Sequence, residues 1–406
     1  MRDDGRVSGS ARWVGIDLAR LVAVAGMMAS HTLAFAEPEP GPGVVALIDG
    51  PPSTLFAVLG GVSVALAARS RLEAGQRAAA VRATVARGLV VLVLGLLLAP
   101  IASAVYVVLA PFGLAIAAAS VFLLLPTWAV AAVALVLAGS VGWLVAVARD
   151  RLGVLPETSS IVTIVADPPG TLQDIALTGV YPALVWLVYL LIGMLVARSL
   201  TSARSRSRER PALLVLAGVG AVLVALGVAA SELGLRLIGA RYPGGPELAR
   251  DDLLANGYGA VPGVEPVWQL LAAPHTGTPA DIARTVGIAL LVIALLSLVV
   301  IALPRGSARA IEPLRAAGAA PLSIYVVHVT LLSALVPLAQ GPAGWLAAGW
   351  LAWALQVAIA IALGALLASA GARGPLETVV GGCADAAAGR AREAPPSAPI
   401  GSDTRG

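Results

Sequence analysis

Long apolar runs, broken by short clusters of arginine, proline and glycine, divide the chain into ten segments long enough to approach or cross a bilayer. They lie at about 13–35, 53–68, 87–100, 106–125, 128–148, 180–197, 211–231, 283–303, 317–337 and 345–369. Pro100 and Pro111 interrupt one long apolar stretch, so the third span reads as short and the fourth as kinked. Neither is disqualified, because neighbouring helices can satisfy the backbone groups that a proline frees. The pattern predicts an all-α, polytopic membrane helical bundle of about ten transmembrane helices over 13–370. A short segment, 1–12, precedes it, and a solvated, disordered tail is expected over 371–406, where a proline-rich stretch begins at Pro395. Two linking segments are long, about 149–180 and 232–282. The second, with Pro243, Gly244, Gly245, Asp251, Asp252 and Glu265, suits a lid or a platform for a substrate. No internal repeat and no inverted halves of the transporter kind are visible.

Composition supports this pattern and removes other classes. Of 406 residues, 58% are hydrophobic and 12% charged, against about 25% charged in soluble domains. Mean hydropathy is +0.90. The single cysteine, Cys383, excludes a disulfide framework and a cysteine-rich metal site. No His, Cys and Asp set has metal-ligand spacing, so no metal is expected, and neither a phosphate-cradling glycine loop nor a Gly-x-Ser nucleophile elbow occurs. The net charge of +4 is not a nucleic-acid signal, because all 27 basic residues are arginine and they follow the membrane. With the N-terminus in the cytoplasm, 20 arginines fall on the inner side and six on the outer, and Arg20 lies within the first span. The bias predicts both termini in the cytoplasm and a multi-pass protein of the inner or plasma membrane. The first apolar stretch is too long for a signal peptide, and the arginine, alanine and glycine excess suits a GC-rich bacterial genome.

Ionisable groups within apolar spans are expensive and need a reason. The first span holds Asp17, Arg20 and His31. Asp17 and Arg20, three apart, share a helix face as an ion pair, a spacing that suits either a pair snorkelling to the inner interface or an anion site. His31 comes eleven residues after Arg20, roughly 16 Å further along the helix. The turn beyond it carries Glu37, Glu39 and Asp49, then Pro51, Pro52 and Ser53, with Ser53 a candidate helix cap. Gly60, Gly61 and Ser63 give the second span a narrow face, which serves close helix packing or leaves room for a thin acyl–pantetheine arm. His275 precedes Thr278, Pro279 and Asp281, whose order is that of a capped helix start and leaves His275 without a structural role. Tyr325 and His328 share a face in the ninth span. There the bland reading is a hydrogen bond from Tyr325 to a neighbouring helix.

Set together, these blocks resemble a known family. The segment from Arg12-Trp-Val-Gly-Ile-Asp17-Leu-Ala-Arg20 to Gly26-Met-Met-Ala-Ser-His31 is similar to the opening of membrane acyltransferases. The stretch from Asp49 through Ser53 to Gly60, Gly61 and Ser63 looks like their second helix, and the blocks around His275 and around Tyr325 and His328 resemble two later ones. The chain resembles the heparan-α-glucosaminide N-acetyltransferase-like group with its YeiB-like bacterial members. The Arg20, ten residues, His31 spacing is also that of the related acyltransferase-3 family.

The resemblance implies transfer of an acyl group, acetyl by preference, from cytoplasmic acyl-CoA to a hydroxyl or amine of an envelope sugar or glycolipid. Acyl-CoA is then a donor substrate, the lipid bilayer and a glycan acceptor are the partners, and a homodimer is compatible with the family. On this reading Arg20, with Asp17, holds the donor phosphates, Gly60, Gly61 and Ser63 pass the thioester arm, and His31 acts as general base or forms an acyl-histidine. His275 and His328 are further catalytic candidates, and Asp49, Ser53 and Tyr325 candidate acceptor contacts. A transporter or lipid flippase using the same polar residues, and a partner subunit without activity, remain open alternatives.

Overall fold

The computed structural model describes residues 13–389, apart from 35, 37–38, 104, 156–157, 244, 255–256, 305–306, 339–340 and 342. The expectations placed on Arg2, Arg6, Arg12, Glu37, Gly244, Arg305 and the segment around Pro395 lie outside the described residues.

Proline and cap chemistry set where the helices begin. The first is α1 (Val14–Leu33), followed by a short α2 (Pro42–Ile48). Pro51 and Pro52 open α3 (Pro51–Glu73) behind Gly50, whose φ of 96° is open to glycine and strained for other residues. Ser53 is therefore not the cap. It sits one turn inside, and its hydroxyl donates to the Gly50 carbonyl at 2.7 Å. Next come α4 (Arg77–Leu98), α5 (Leu109–Ala119), which runs into a 3-10 turn to Leu124, and α6 (Thr127–Leu152). The first long link folds into α7 (Ile161–Ala166), α8 (Pro168–Gln173) and a π-helical turn over Asp174–Thr178. Then follow α9 (Ala183–Ser205), α10 (Glu209–Gly239) and, in the second long link, α11 (Gly245–Leu253). Thr278 caps α12 (Pro279–Ala302), its hydroxyl accepting the Asp281 N–H at 3.0 Å. The chain closes with α13 (Ala308–Gly318), α14 (Pro321–Leu335), α15 (Gly349–Ser369) and α16 (Pro375–Ala388).

The fold is an all-α polytopic bundle. Among the described residues there is no strand, nine helices are long and apolar enough to cross a bilayer, and the tenth expected span falls on the shorter Leu109–Leu124 helix. Each of the ten apolar runs thus falls on helical segments. Several boundaries differ from expectation. Helices α9 and α10 run on to Ser205 and Gly239, and the 317–337 run is split between α13 and α14. Two further differences bear on the site. Helix α4 starts a full ten residues before the apolar run, because Arg77, Arg82 and the alanines between them continue the helix beyond the hydrocarbon. The segment after Gly371 is not a solvated tail over its described part. There α16 packs along α4, with Val380, Ala384 and Ala388 buried, the Arg82 guanidinium donating to the carbonyls of Ala387 and Ala388, and Arg71 pairing with Asp385 at 2.5 Å. A three-to-four-residue apolar period, Val380, Ala384 and Ala388, in a stretch rich in small and apolar residues docks it.

The helices that carry the site are locked by close backbone approach. A Cβ on Gly61 would meet the Leu190 carbonyl oxygen at 2.0 Å, and one on Gly193 the Val58 carbonyl oxygen at 1.9 Å. Only glycine allows α3 and α9 to cross this closely. At the N-terminal end of α1, Gly318 of α13 lies against the Asp17 carbonyl, where a Cβ would come within 1.8 Å.

Candidate active site

Arg20 and His31 are separated by almost three whole turns, so α1 presents both on one face, roughly 16 Å apart along its axis. At its N-terminal end Asp17 is buried. Arg20 Nη1 donates to Asp17 Oδ1 at 2.5 Å and Nη2 to Ser63 Oγ at 2.9 Å, while Arg315 Nη1 stands 3.6 Å from Asp17 Oδ2. The pair is no interfacial snorkel. It is built into the bundle by α3 and α13. Arg20 faces a cavity of about 270 Å³ that Gly60, Ser63, Arg87, Phe112 and Glu377 also line. Gly60 borders that space, its missing Cβ taken up by the Phe112 ring. Gly61 does not line it, because that face is closed by Leu190 of α9. The Glu377 carboxylate of α16 accepts the backbone N–H of Leu322 and Ser323 at 2.7 and 3.1 Å, capping α14 at the cavity wall.

At the other end of α1, His31 meets His328 of α14. His31 Nδ1 and His328 Nε2 are 2.9 Å apart, and the ring planes agree within 4°. His328, 2% exposed, is in turn bonded through Nδ1 to the Gln356 side-chain oxygen of α15. With the amide oxygen of Gln356 placed toward His328, that oxygen accepts Nδ1–H and fixes the tautomer. His328 Nε2 then accepts from His31 Nδ1–H, and His31 Nε2 carries the lone pair. That atom has no protein partner among the described residues, and His31 as a residue is half-buried. The arrangement is a base held by a second base, itself held by an amide.

The remaining candidates divide into two groups. His275 does not join the pair. It adopts φ 63°, its Nε2 lies 3.1 Å from Asp49 Oδ1, and Tyr181 packs edge-on against it at 5.0 Å. It remains within electrostatic reach of His31. Asp49 thus belongs with His275, and Ser53, His275 and Tyr181 border one small void. Tyr325 is a packing residue, 1% exposed, whose hydroxyl accepts the Val108 N–H at 3.4 Å, the bland reading of this position. The sequence reading missed Gln356, Arg315, Glu377 and Arg87. A lone amide in the apolar run of the last span was signal enough for Gln356. Nothing local marks the contacts of Arg315 or Glu377, which other helices decide.

Beside Tyr181 the long links close over a second cavity, of about 320 Å³, bordered by Tyr106, Arg149, Asp174, Tyr181 and Tyr258. Burial pushes the Asp174 carboxyl above the usual carboxylate range, against the Ser159 hydroxyl, the Leu155 N–H and the Arg149 charge, which pull it down. Burial likewise raises the Tyr258 hydroxyl.

The first helix of this membrane bundle thus carries a guanidinium–carboxylate pair at one end and, at the other, a histidine paired with His328 of α14. The acyltransferase-3 family model, an acyltransferase domain, matches residues 13–369, and the chain belongs to that family. No curated protein and no solved structure matches the chain.

Proposed function

We propose that the protein transfers an acyl group from acyl-CoA, entering at the arginine-rich end, to a hydroxyl or amine of a sugar or glycolipid at the end formed by the long links. The His31–His328–Gln356 chain carries this reading, because it leaves one unprotonated imidazole nitrogen oriented and unused. Arg20 and Arg87, with the apolar wall between them, suit the phosphates and thin arm of the donor, since guanidinium pairs well with phosphate. In the step itself His31 Nε2 takes the proton of the acceptor O–H or N–H while that atom attacks the thioester carbonyl. The tetrahedral adduct collapses with cleavage of the C–S bond, and the imidazolium returns the proton to the departing thiolate, giving ester or amide and free CoA. Acetyl as the acyl group, kinship to the heparan-type enzymes, a cytoplasmic donor side in a plasma or inner membrane and a homodimer belong to the same proposal.

The test is transfer from radiolabelled acetyl-CoA to acceptors in proteoliposomes. We expect His31→Ala to lower turnover by about 10²- to 10⁴-fold, with Arg20→Ala raising the donor KM. Folded variants with full turnover would overturn the assignments. Solute movement across vesicles without donor would favour the transporter reading instead.

A further inference from the structure

The cavity under the long links holds features that the transfer chemistry does not use. Asp174 is 6% exposed, borders the cavity, and among the described residues keeps one carboxylate oxygen, Oδ1, without a hydrogen-bond partner, while Oδ2 accepts from the Ser159 hydroxyl at 2.7 Å. Behind the cavity wall, the hydroxyls of Thr171 in α8 and of Thr178 at the end of the turn are buried and also lack partners among the described residues. A buried polar atom left unpaired is costly unless something else pairs it. The turn is π-helical, the Gly179 N–H reaching back five residues to the Asp174 carbonyl at 2.8 Å, a geometry concentrated at functional sites. Arg149 braces it by donating to the carbonyls of Thr178, Gly179 and Tyr258 at 2.7, 2.7 and 2.5 Å. The opposite side is aromatic. Tyr106 and Tyr258 meet edge to face at 5.5 Å and are each about half exposed, and Tyr181 ties this wall to His275.

We propose that this cavity is a saccharide subsite in which Asp174 accepts ring hydroxyls and Tyr106, Tyr181 and Tyr258 offer faces to the apolar C–H side of one neutral sugar ring. The inference deepens the acyl-transfer reading and rests on it for the word acceptor, while the binding site stands on its own residues. Charge selects the ligand class. Asp174 opposes an anion, Arg149 opposes a cation, and a neutral polyol suffers neither repulsion while supplying the donor that Oδ1 lacks. The volume lies at the lower end of ligand pockets, roughly 300–1,000 Å³, and so suits one ring and not an extended glycan.

The experiment is saturation-transfer NMR of the intact protein in nanodiscs, with glucose and N-acetylglucosamine as probes and choline and acetate as charged controls. We expect saturation of at least one sugar and of neither control. Asp174→Ala and Tyr106→Ala should each weaken binding tenfold or more, with partial rescue in Asp174→Asn and an unchanged melting midpoint. Absence of any sugar signal, a choline or acetate signal in its place, or sugar binding that ignores both variants would overturn the subsite. Transfer activity that requires His31 but whose acceptor KM is unmoved by Asp174→Asn and Asp174→Ala would remove the subsite alone. Sugar binding that depends on Asp174, without any donor-dependent transfer, would remove the enzymatic reading and leave the subsite standing.

Discussion

In the proposed transfer, His31 can serve as a base only while its other nitrogen is occupied, and His328 occupies it at 2.9 Å. The direction of that bond is inherited from Gln356, whose side-chain nitrogen has no partner while its oxygen serves His328. A carboxylate in place of the amide can only accept, so Gln356→Glu should preserve the relay, whereas Gln356→Leu frees His328 to rotate and lets either tautomer form. We expect transfer activity to survive in the first and to fall by about tenfold or more in the second, an effect of the size reported for groups that orient a ligating or catalytic histidine. The two variants should show the same donor KM, because neither touches the Arg20 cavity. At the opposite end of the helix, Asp17 balances Arg20 and Arg315 within the bundle. Asp17→Ala leaves two mostly buried guanidiniums without that carboxylate, which should destabilise by on the order of 3 kcal/mol, read as a lower midpoint of unfolding in mild detergent. Asp17 and Arg20 were legible as a pair from their spacing. Arg315 was not, since its approach depends on α13 folding back over α1.

Among the elements, α3 does most to shape the donor side, because its two faces do different things. Gly60 and Ser63 open toward the cavity, and Gly61 presses on the α9 backbone. The glycine pair read as a narrow stripe in the sequence, and that reading could not say which glycine bordered space and which closed it. One residue of rotation, about 100° on a helix, separates the two outcomes. Gly61→Val must push α9 away. We expect it to destabilise by about 1–3 kcal/mol or more and to reduce the yield of monodisperse protein in size-exclusion chromatography, whereas Gly60→Ala has only the Phe112 ring to displace. Helix α16 makes the reverse point about tails. The tail after Gly371 read as solvated because of its proline-rich end, but Glu377 caps α14 and Val380 enters the core, so α16 walls the cavity. Its cap reaches residues more than fifty positions upstream, beyond any local rule.

At the scale of the molecule, the charge distribution makes a prediction about which way the bundle stands. The arginine distribution predicts that α16 and the arginine-rich turns face the cytoplasm. Cys383, the single cysteine, lies exposed on α16 and is a natural reporter. In sealed right-side-out spheroplasts or oriented vesicles, a membrane-impermeant maleimide should label it only after permeabilisation. Labelling of intact vesicles of known orientation would reverse the topology and, with it, the side from which the donor enters.

The spans and the polar residues inside them can be read from the chain alone. Hydrocarbon requires about twenty apolar residues per helix and internal pairing of every backbone group, so the ten runs are visible without a fold, and Asp17, Arg20, His31 and His328 stand out against them. Which of these meet was decided by tertiary structure alone. His31 and His328 are 297 positions apart, His275 lies with Asp49 instead of joining them, and Asp174 faces Tyr106 and Tyr258 from separate links. A helix period assigns a residue to a face, but the partner on that face comes from the way glycine contacts set neighbouring helices, and no local pattern along the chain records that crossing.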